Sequence, residues 1–273
     1  MKLQLVPAGH GALWVRHGFQ AFLRRPLSFA SMFGMFSLAV LLTGLVPLAG
    51  TLIGFGAMPL MSLGFMIATH QLPEGRAPGP AVFWLPLRGD PARKRSLLKL
   101  CLTYALCLTA MLSVWIWLDA AQLETYRAAM ASASSSPEAM NAMAADGQLL
   151  LTLFTPLLFV SLLSVPFWHA PALVHWGGLT VGKAIFFSTM ACWRNRGAFF
   201  VYGLTWIGVL MVFSMLSTLL LALLGGSQAV AALLIMPIAL LLSAAFYTSL
   251  YFTFADCFEM PSTPPADEKE PAP

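Results

Sequence analysis

Apolar residues occur along this chain in six long runs, separated by shorter polar or charged stretches. Each run holds roughly 20 residues, which as an α-helix is long enough to cross a hydrocarbon core of about 30 Å. The runs lack the two-residue alternation of a membrane barrel strand, and an isolated strand could not satisfy its backbone within lipid. The pattern therefore predicts an all-α, polytopic bundle of six transmembrane helices. The predicted spans are 27–47, 50–70, 96–118, 148–169, 198–223 and 229–254.

Composition agrees with this class of protein. Of the 273 residues, 59% are hydrophobic and only 10% are charged, whereas a soluble domain carries about 25% charged residues. So much apolar surface could not all be hidden from water in a soluble fold. Residues 1–258 are predicted to form a single membrane domain. The proline-rich, charged residues 259–273 are predicted to be a disordered cytoplasmic tail.

Positive charges are distributed unevenly between the two sides of the membrane. If the spans alternate in direction, fourteen of the fifteen lysines and arginines fall on one side. Arg127 falls on the other side, within a predicted exported loop at 119–147. Because lysine and arginine are retained on the cytoplasmic side of a bacterial inner membrane, both termini are predicted to be cytoplasmic. With an odd number of spans, the lysines and arginines would be distributed over both sides of the membrane.

A weak internal repeat relates the two ends of the domain. Residues 11–29 align without gaps to residues 181–199, so that Arg24 matches Arg194. A basic, aromatic segment, here called an elbow, precedes each of three pairs of spans, and each pair forms a helical hairpin. The elbows are predicted at 9–26, 79–95 and 171–196, the second only loosely similar. Three parallel repeats about an axis along the membrane normal are one interpretation, and chance similarity between amphipathic segments is the other.

The first elbow has the pattern of an amphipathic helix lying in the headgroup plane. One face is apolar and the other carries arginines, as expected for a helix at the membrane interface. The predicted apolar stripe is Ala12, Val15, Phe19 and Phe22.

Basic and aromatic side chains of the elbows are the candidate contacts to anionic lipid headgroups or to a protein partner. They are Arg16, Arg24, Arg25, Trp168, His169, His175, Lys183, Trp193, Arg194 and Arg196. For the arginines and lysine, a role in orientation alone is the simpler alternative. His169 and His175 could form a metal pair or proton relay, but their six-residue spacing does not place them on one helical face. An interfacial aromatic belt is the favoured interpretation of that segment.

Sequence motifs of enzymes do not occur. The chain has no GxSxG, HExxH or phosphate-binding glycine loop, and its four cysteines show no CxxC spacing. We therefore expect no catalysis, no cofactor, no metal and no nucleic-acid partner.

Two functional classes remain open. The first is a non-catalytic protein that organises lipids or a partner at the cytoplasmic face. The alternative is a small-solute or lipid permease whose path runs between the hairpins. The first is preferred because the spans carry almost no charge, whereas an ion-coupled transporter usually needs a carboxylate or an equivalent group near the midplane. A polar cavity lined by several spans would favour the permease, and a filled apolar axis would favour the first class.

The run APALV…W…KAIFFS…CWRNRGAF, together with the earlier GF…FLRRP, resembles a family of Gram-negative inner-membrane proteins described only as hypothetical transmembrane proteins. The resemblance extends from about Trp14 to Phe258, and it implies location and architecture without an activity. A more distant likeness is to the membrane domain of some glycerophosphodiester phosphodiesterases. That likeness implies membrane embedding only, because the phosphodiesterase active site belongs to a separate soluble domain that this chain lacks.

Overall fold

The computed structural model describes residues 2–46, 49–120, 123–125, 127–128, 147–224 and 228–259. Within these ranges the chain is almost entirely helical. The α-helices are α1 (His10–Arg24), α2 (Pro26–Thr43), α3 (Ala49–Gln71), α4 (Leu85–Arg88), α5 (Pro91–Leu118), α6 (Gly147–Phe167), α7 (Ala170–His175), α8 (Val181–Arg194), α9 (Arg196–Leu223) and α10 (Gln228–Cys257). Two short 3-10 helices, Leu72–Glu74 and Pro80–Trp84, lie between α3 and α4.

Six helical segments of the described chain are long and apolar enough to cross a membrane, which confirms the predicted number of spans. They are Pro26–Thr43, Ala49–Glu74, Pro91–Leu118, Phe154–His175, Arg196–Leu223 and Leu233–Cys257. The helix of the third span begins at Pro91, earlier than the predicted start at 96. Asp90 explains the difference, because its Oδ1 accepts a hydrogen bond of 3.0 Å from the backbone N–H of Ala92 and so caps the helix.

The spans form three hairpins, α2–α3, α5–α6 and α9–α10, which pack unevenly around a common axis. In the first hairpin, α3 packs along α5 of the second and along α10 of the third, and α10 also packs on α2. Among the described residues, α6 has no extensive contact with α9 or α10. The bundle is therefore closed on two sides and open on the third, between α6 and α9.

The first elbow, α1, is inserted between α9 and α10 of the last hairpin. A Cβ added to Gly11 would lie 2.1 Å from the carbonyl oxygen of Ala198, and one added to Gly18 would lie 2.4 Å from Cβ of Ser249. Between these glycines Trp14 is completely buried. Since α1 packs against two spans in this way, it is part of the helical bundle, and its position in the headgroup plane stays a prediction.

The buried stripe of α1 differs from the predicted one by a rotation of the helix. Val15 and Phe22 are buried as expected, but Ala12 is exposed and Phe19 is only partly buried. The remaining buried positions include Gly11 and Gly18, where the helix needs a small residue for close approach. A stripe counted from large apolar side chains misses such positions.

The other two elbows are broken rather than continuous. The predicted elbow at 79–95 consists of Pro80–Trp84, the four-residue α4 and the first turn of α5. Pro80, Pro86 and Pro91 each allow a helix to begin but not to continue through them. This elbow packs on α2 and α3. The predicted elbow at 171–196 contains α7 and α8, and α8 packs on α6 and α5.

Each elbow thus packs on the hairpin that precedes it in the chain, and the first elbow packs on the last hairpin. This cyclic order is compatible with a threefold repeat. The repeat itself stays a prediction.

The two described ends of the chain meet on one face of the bundle. Leu3 and Phe258 form an isolated antiparallel bridge, and the N–H of Gln4 donates to the carbonyl of Cys257 at 2.9 Å. Asn195, between α8 and α9, accepts a hydrogen bond from the N–H of Val6 at 2.8 Å. Both ends therefore lie on the same side, as an even number of spans requires. The predicted disordered tail beyond residue 259 and most of the predicted exported loop 119–147 lie outside the described residues.

Candidate functional site

Six exposed basic residues come from the first and third elbows, and together we call them the basic face. This basic face consists of Arg16, Arg24 and Arg25 from the first elbow and Lys183, Arg194 and Arg196 from the third. Asn195, whose contacts fix the N-terminal segment, lies between two of these arginines. Within the described ranges, no carboxylate oxygen lies within 4.0 Å of any of the six cationic groups. Their charges are therefore available to an anionic ligand.

Helix α8 presents aromatic and basic side chains together on its exposed side. Its opposite side is buried against the bundle through Ala184, Ser188 and Ala191, at spacings of four and three residues. On the exposed side, 69% of the surface of Trp193 is accessible, and Phe186 is also exposed. Exposed aromatic rings beside lysine and arginine are typical of a helix at the membrane interface.

A small recess adjoins Arg24 on α1. Its volume is about 260 Å³, and its polar lining residues are His17, Gln20, Arg24, Thr69 and Tyr251. The first three recur at spacings of three and four residues along α1, so they share one face of that helix. Of these five, sequence reasoning selected only Arg24 as a candidate contact. The others are brought together because α1 and α3 both pack on α10, which the sequence does not reveal.

His169, a predicted headgroup contact, is completely buried. Its backbone N–H donates to Oγ of Ser188 at 2.9 Å, and its Nε2 lies 3.2 Å from Oγ1 of Thr253. Its ring also contacts Phe199 and Phe254. With no exposed atom, His169 joins α6 to α8 and α10 and does not reach a headgroup.

Trp168 and His175 lie in different surroundings from His169. The indole N–H of Trp168 donates to Oγ1 of Thr253 at 3.1 Å, and its ring contacts Tyr202 and Phe246 of the third hairpin. His175 lies against the ring of the neighbouring Trp176, and its carbonyl accepts from Arg93 at 3.4 Å. In the part of the chain that the structure describes, no three histidine, cysteine or acidic side chains converge as metal ligands would.

The open side of the bundle contains a cleft of about 510 Å³ between α6 and α9, which we call the lateral cleft. Its floor on α9 is a stripe at three- and four-residue spacing. The facing wall is formed by Ser161 and Val165 of α6 and by Trp168 just beyond the end of that helix. The full lining is Ser161, Val165, Trp168, Cys192, Trp193, Arg196, Phe199, Phe200, Tyr202, Gly203, Trp206 and Phe246. The structure thus brings together three of the predicted contacts, Trp168, Trp193 and Arg196.

Arg196 is the only ionised group of this lining. The remaining titratable group outside the spans, the Cys192 thiol, is kept neutral because burial and, secondarily, the neighbouring Cys257 raise its pKa to about 12. Its Sγ lies 3.7 Å from the carbonyl oxygen of Val165. The cleft is therefore apolar along its length, with one fixed positive charge.

A second, much smaller cavity lies where the hairpins meet at the bundle axis. Its volume is about 130 Å³, enough for a few water molecules at about 30 Å³ each. Four hydroxyl groups from four helices line it, those of Ser62, Tyr104, Ser164 and Tyr247, and the rest of its lining is apolar. The two serines already donate to carbonyls of their own helices. The axis is therefore neither completely filled nor a wide polar path.

A protein of Burkholderia thailandensis, described as a probable inner membrane protein, is 32% identical to this chain over 260 residues, which are 94% of each chain. The chain belongs to this family. It is a multi-pass inner membrane protein, and the predicted membership of an inner-membrane family is confirmed. No protein-family model and no solved structure matches it. The predicted likeness to glycerophosphodiester phosphodiesterases stays a prediction.

Because the chain is an inner membrane protein, the surroundings of the lateral cleft can be inferred. The outer surfaces of α6 and α9 carry exposed apolar side chains such as Leu158, Leu162 and Leu204. In an inner membrane protein these surfaces meet lipid tails rather than water. A cleft between the two helices is therefore in contact with the bilayer.

Proposed function

We propose that this inner membrane protein is non-catalytic and organises anionic lipids at the cytoplasmic face of the membrane. The observation that carries the proposal is the basic face, with six exposed cations that have no carboxylate partner among the described residues. Each lysine or arginine near an anionic leaflet contributes about 1 kcal/mol of attraction. Six such groups would hold anionic headgroups against the elbows.

The proposal requires the basic face to be cytoplasmic. The distribution of lysine and arginine supports that orientation, since cytoplasmic segments of inner membrane proteins are enriched in both. The junction of the two chain ends then lies in the cytoplasm as well.

The lipids that surround the protein provide the test. The protein is extracted with its neighbouring lipids by a membrane-solubilising copolymer, and the lipids are quantified by mass spectrometry. We expect enrichment of anionic lipids over the bulk membrane, and at least a twofold loss of that enrichment when all six basic residues are replaced by glutamine. A variant with only Arg16, Arg24 and Arg25 replaced should show an intermediate loss.

Arg127→Gln is the matched control, because it removes one cation from the predicted opposite side, where Arg127 already pairs with Glu124. This variant should retain the enrichment. Equal lipid compositions in the six-residue variant and the parent protein would contradict the proposal. The proposal would also be contradicted if deletion of the gene left the lipidome unchanged and caused one solute to accumulate.

A permease is the second candidate, favoured by the cavity at the bundle axis. The hydroxyls of Ser62, Tyr104, Ser164 and Tyr247 come from α3, α5, α6 and α10, so a path between the hairpins would pass them. Tyr104→Phe and Tyr247→Phe remove two of these hydroxyls with little change in shape. If vesicles containing the protein take up the solute that accumulates in the deletion strain, and these variants slow that uptake, the permease is favoured over the lipid-organising role.

A further inference from the structure

We propose that the lateral cleft is a binding site for one anionic glycerophospholipid of the surrounding bilayer. One acyl chain occupies the cleft between α6 and α9, and the phosphate of the headgroup pairs with Arg196. The proposal rests on the proposed function, which it sharpens from a general attraction at the basic face to one site for one lipid molecule.

The dimensions of the cleft match one leaflet of a membrane. Along α9, its lining residues Arg196, Phe199, Gly203 and Trp206 lie on one side of the helix. From Arg196 to Trp206 the helix rises about 15 Å at 1.5 Å per residue, which is half of a hydrocarbon core of about 30 Å. A lipid whose phosphate lies at Arg196 would therefore extend an acyl chain along this stripe as far as Trp206.

The elongated lining of the cleft suits a single acyl chain. The lining follows one side of α9 from Arg196 to Trp206, and the other lining residues come from the end of α6, from α8 and from α10. A thin acyl chain can follow this whole length. Gly203 contributes to this space, because a Cβ added there would meet no atom within 4 Å.

The charge of the cleft selects the headgroup. The guanidinium of Arg196 can form two parallel hydrogen bonds to a phosphate, and no carboxylate lines the cleft to hold the ammonium group of a zwitterionic lipid. Trp193 lies beside Arg196 in the lining and is largely exposed, as an aromatic ring at headgroup depth would be. These features favour an anionic lipid such as phosphatidylglycerol.

The test uses the full-length protein in vesicles of phosphatidylethanolamine that contain a small fraction of phosphatidylglycerol with a photoreactive diazirine in one acyl chain. After illumination, labelled peptides are mapped by mass spectrometry. We expect labels concentrated on residues 161–168, at the end of α6, and on residues 199–206 of α9. Excess unlabelled phosphatidylglycerol should reduce this labelling at least fivefold more than the same excess of phosphatidylcholine.

Two matched pairs of variants separate the cleft from the rest of the surface. Gly203→Leu fills the cleft, whereas Gly208→Leu adds the same side chain at another open position of α9 that does not line it. Arg196→Gln removes the charge at the cleft, whereas Arg88→Gln removes one exposed charge from α4, outside the lining. We expect a loss of at least fivefold in cleft labelling with Gly203→Leu and Arg196→Gln, and less than twofold with the two controls. Thermal unfolding of each variant in detergent identifies any that fails to fold.

Several results would overturn the proposal. Labels spread evenly around the bundle would show that no site exists, as would cleft labelling that Gly203→Leu leaves unchanged. Equal competition by phosphatidylcholine would refute the anionic headgroup, and crosslinks between two copies through α6 and α9 would show that a second protein fills the cleft. If the copolymer-extracted protein still enriches anionic lipids in any of these cases, the cleft proposal fails and the proposed function of the basic face stands.

Discussion

The indole Nε1 of Trp14 donates a hydrogen bond of 2.7 Å to Oδ2 of Asp256. Nδ1 of His10 lies 3.0 Å from the same oxygen. Trp14 is completely buried in α1, and Asp256 lies in the last turn of α10. One carboxylate thus joins the first elbow to the end of the last span, next to the junction of the two chain ends.

Replacing Asp256 by leucine should destabilise the protein more than replacing it by asparagine. The leucine leaves the buried indole N–H of Trp14 without an acceptor, which costs about 1 to 3 kcal/mol, whereas the asparagine retains an acceptor oxygen. Equilibrium unfolding in mixed micelles measures both changes in free energy. Glu74→Gln is the control, because it breaks an exposed ion pair with Arg76 and should cost less than about 1 kcal/mol. Equal effects of Asp256→Leu and Glu74→Gln would show that the contact does not hold α1.

Gly11→Ala and Gly203→Ala should change stability in opposite directions. At Gly11 the new Cβ would lie 2.1 Å from the carbonyl oxygen of Ala198 and 2.5 Å from the backbone nitrogen of Tyr202. Backbone atoms cannot move aside as a side chain can, so we expect a loss of about 1 to 3 kcal/mol. At Gly203 the Cβ meets nothing, and alanine should stabilise the helix by up to about 1 kcal/mol. Similar unfolding free energies for the two variants would contradict the close packing of α1 on α9.

The six spans could be predicted from the sequence because each depends on local properties, namely an apolar run of sufficient length and the polar residues that end it. Even the early start of α5 has a local cause in the cap formed by Asp90 and in Pro91. The partners of each helix could not be predicted in the same way. Trp14 and Asp256 are separated by 242 positions, and nothing near either residue indicates the other.

The residues of the candidate site also divide into those that the sequence indicates and those that depend on contacts between distant residues. Basic and aromatic residues of the elbows were identified from composition, and Trp168, Trp193 and Arg196 do meet in the lateral cleft. Gly203 was missed because it contributes to the cleft by having no side chain. The sequence does not show that α9 and α6 leave a gap at this position. His169 was selected because histidine beside tryptophan is common at membrane interfaces, but Thr253 and Ser188 pair with it inside the bundle.

The Cys192 thiol should react slowly with maleimide, because the thiolate is the reactive form and burial raises the pKa of this thiol to about 12 from an ordinary value of 9.0. Below pH 9 its thiolate fraction is roughly a thousandfold smaller than that of an ordinary cysteine. Since the folded protein favours the neutral thiol, this group's contribution to stability is present below pH 9 and is lost as the pH rises towards 12.

Peptide-resolved mass spectrometry over pH 7 to 10 measures the rate. A cysteine introduced by Thr189→Cys on the exposed side of α8 is the reference, and its rate should level off near pH 9 while that of Cys192 keeps rising about tenfold per pH unit. Parallel pH profiles for the two cysteines would show that Cys192 is not buried in the native protein.

The orientation of the bundle can be tested with reporter fusions at its two sides. A fusion at Ser134, in the predicted exported loop, should report a periplasmic location, and a fusion after Glu259 should report a cytoplasmic one. The described chain ends meet on one face, with the backbone N–H of Glu259 donating to the carbonyl of Lys2 at 3.1 Å, so a fusion before Met1 should agree with the one after Glu259. Removing Arg127, the one cation that is predicted to be exported, should not reverse the bundle, because the other fourteen lysines and arginines are all predicted to lie on the opposite side. Arg127→Gln therefore should leave all three reporters unchanged. A cytoplasmic signal from Ser134 would place the basic face in the periplasm, where it could not organise the lipids of the cytoplasmic leaflet.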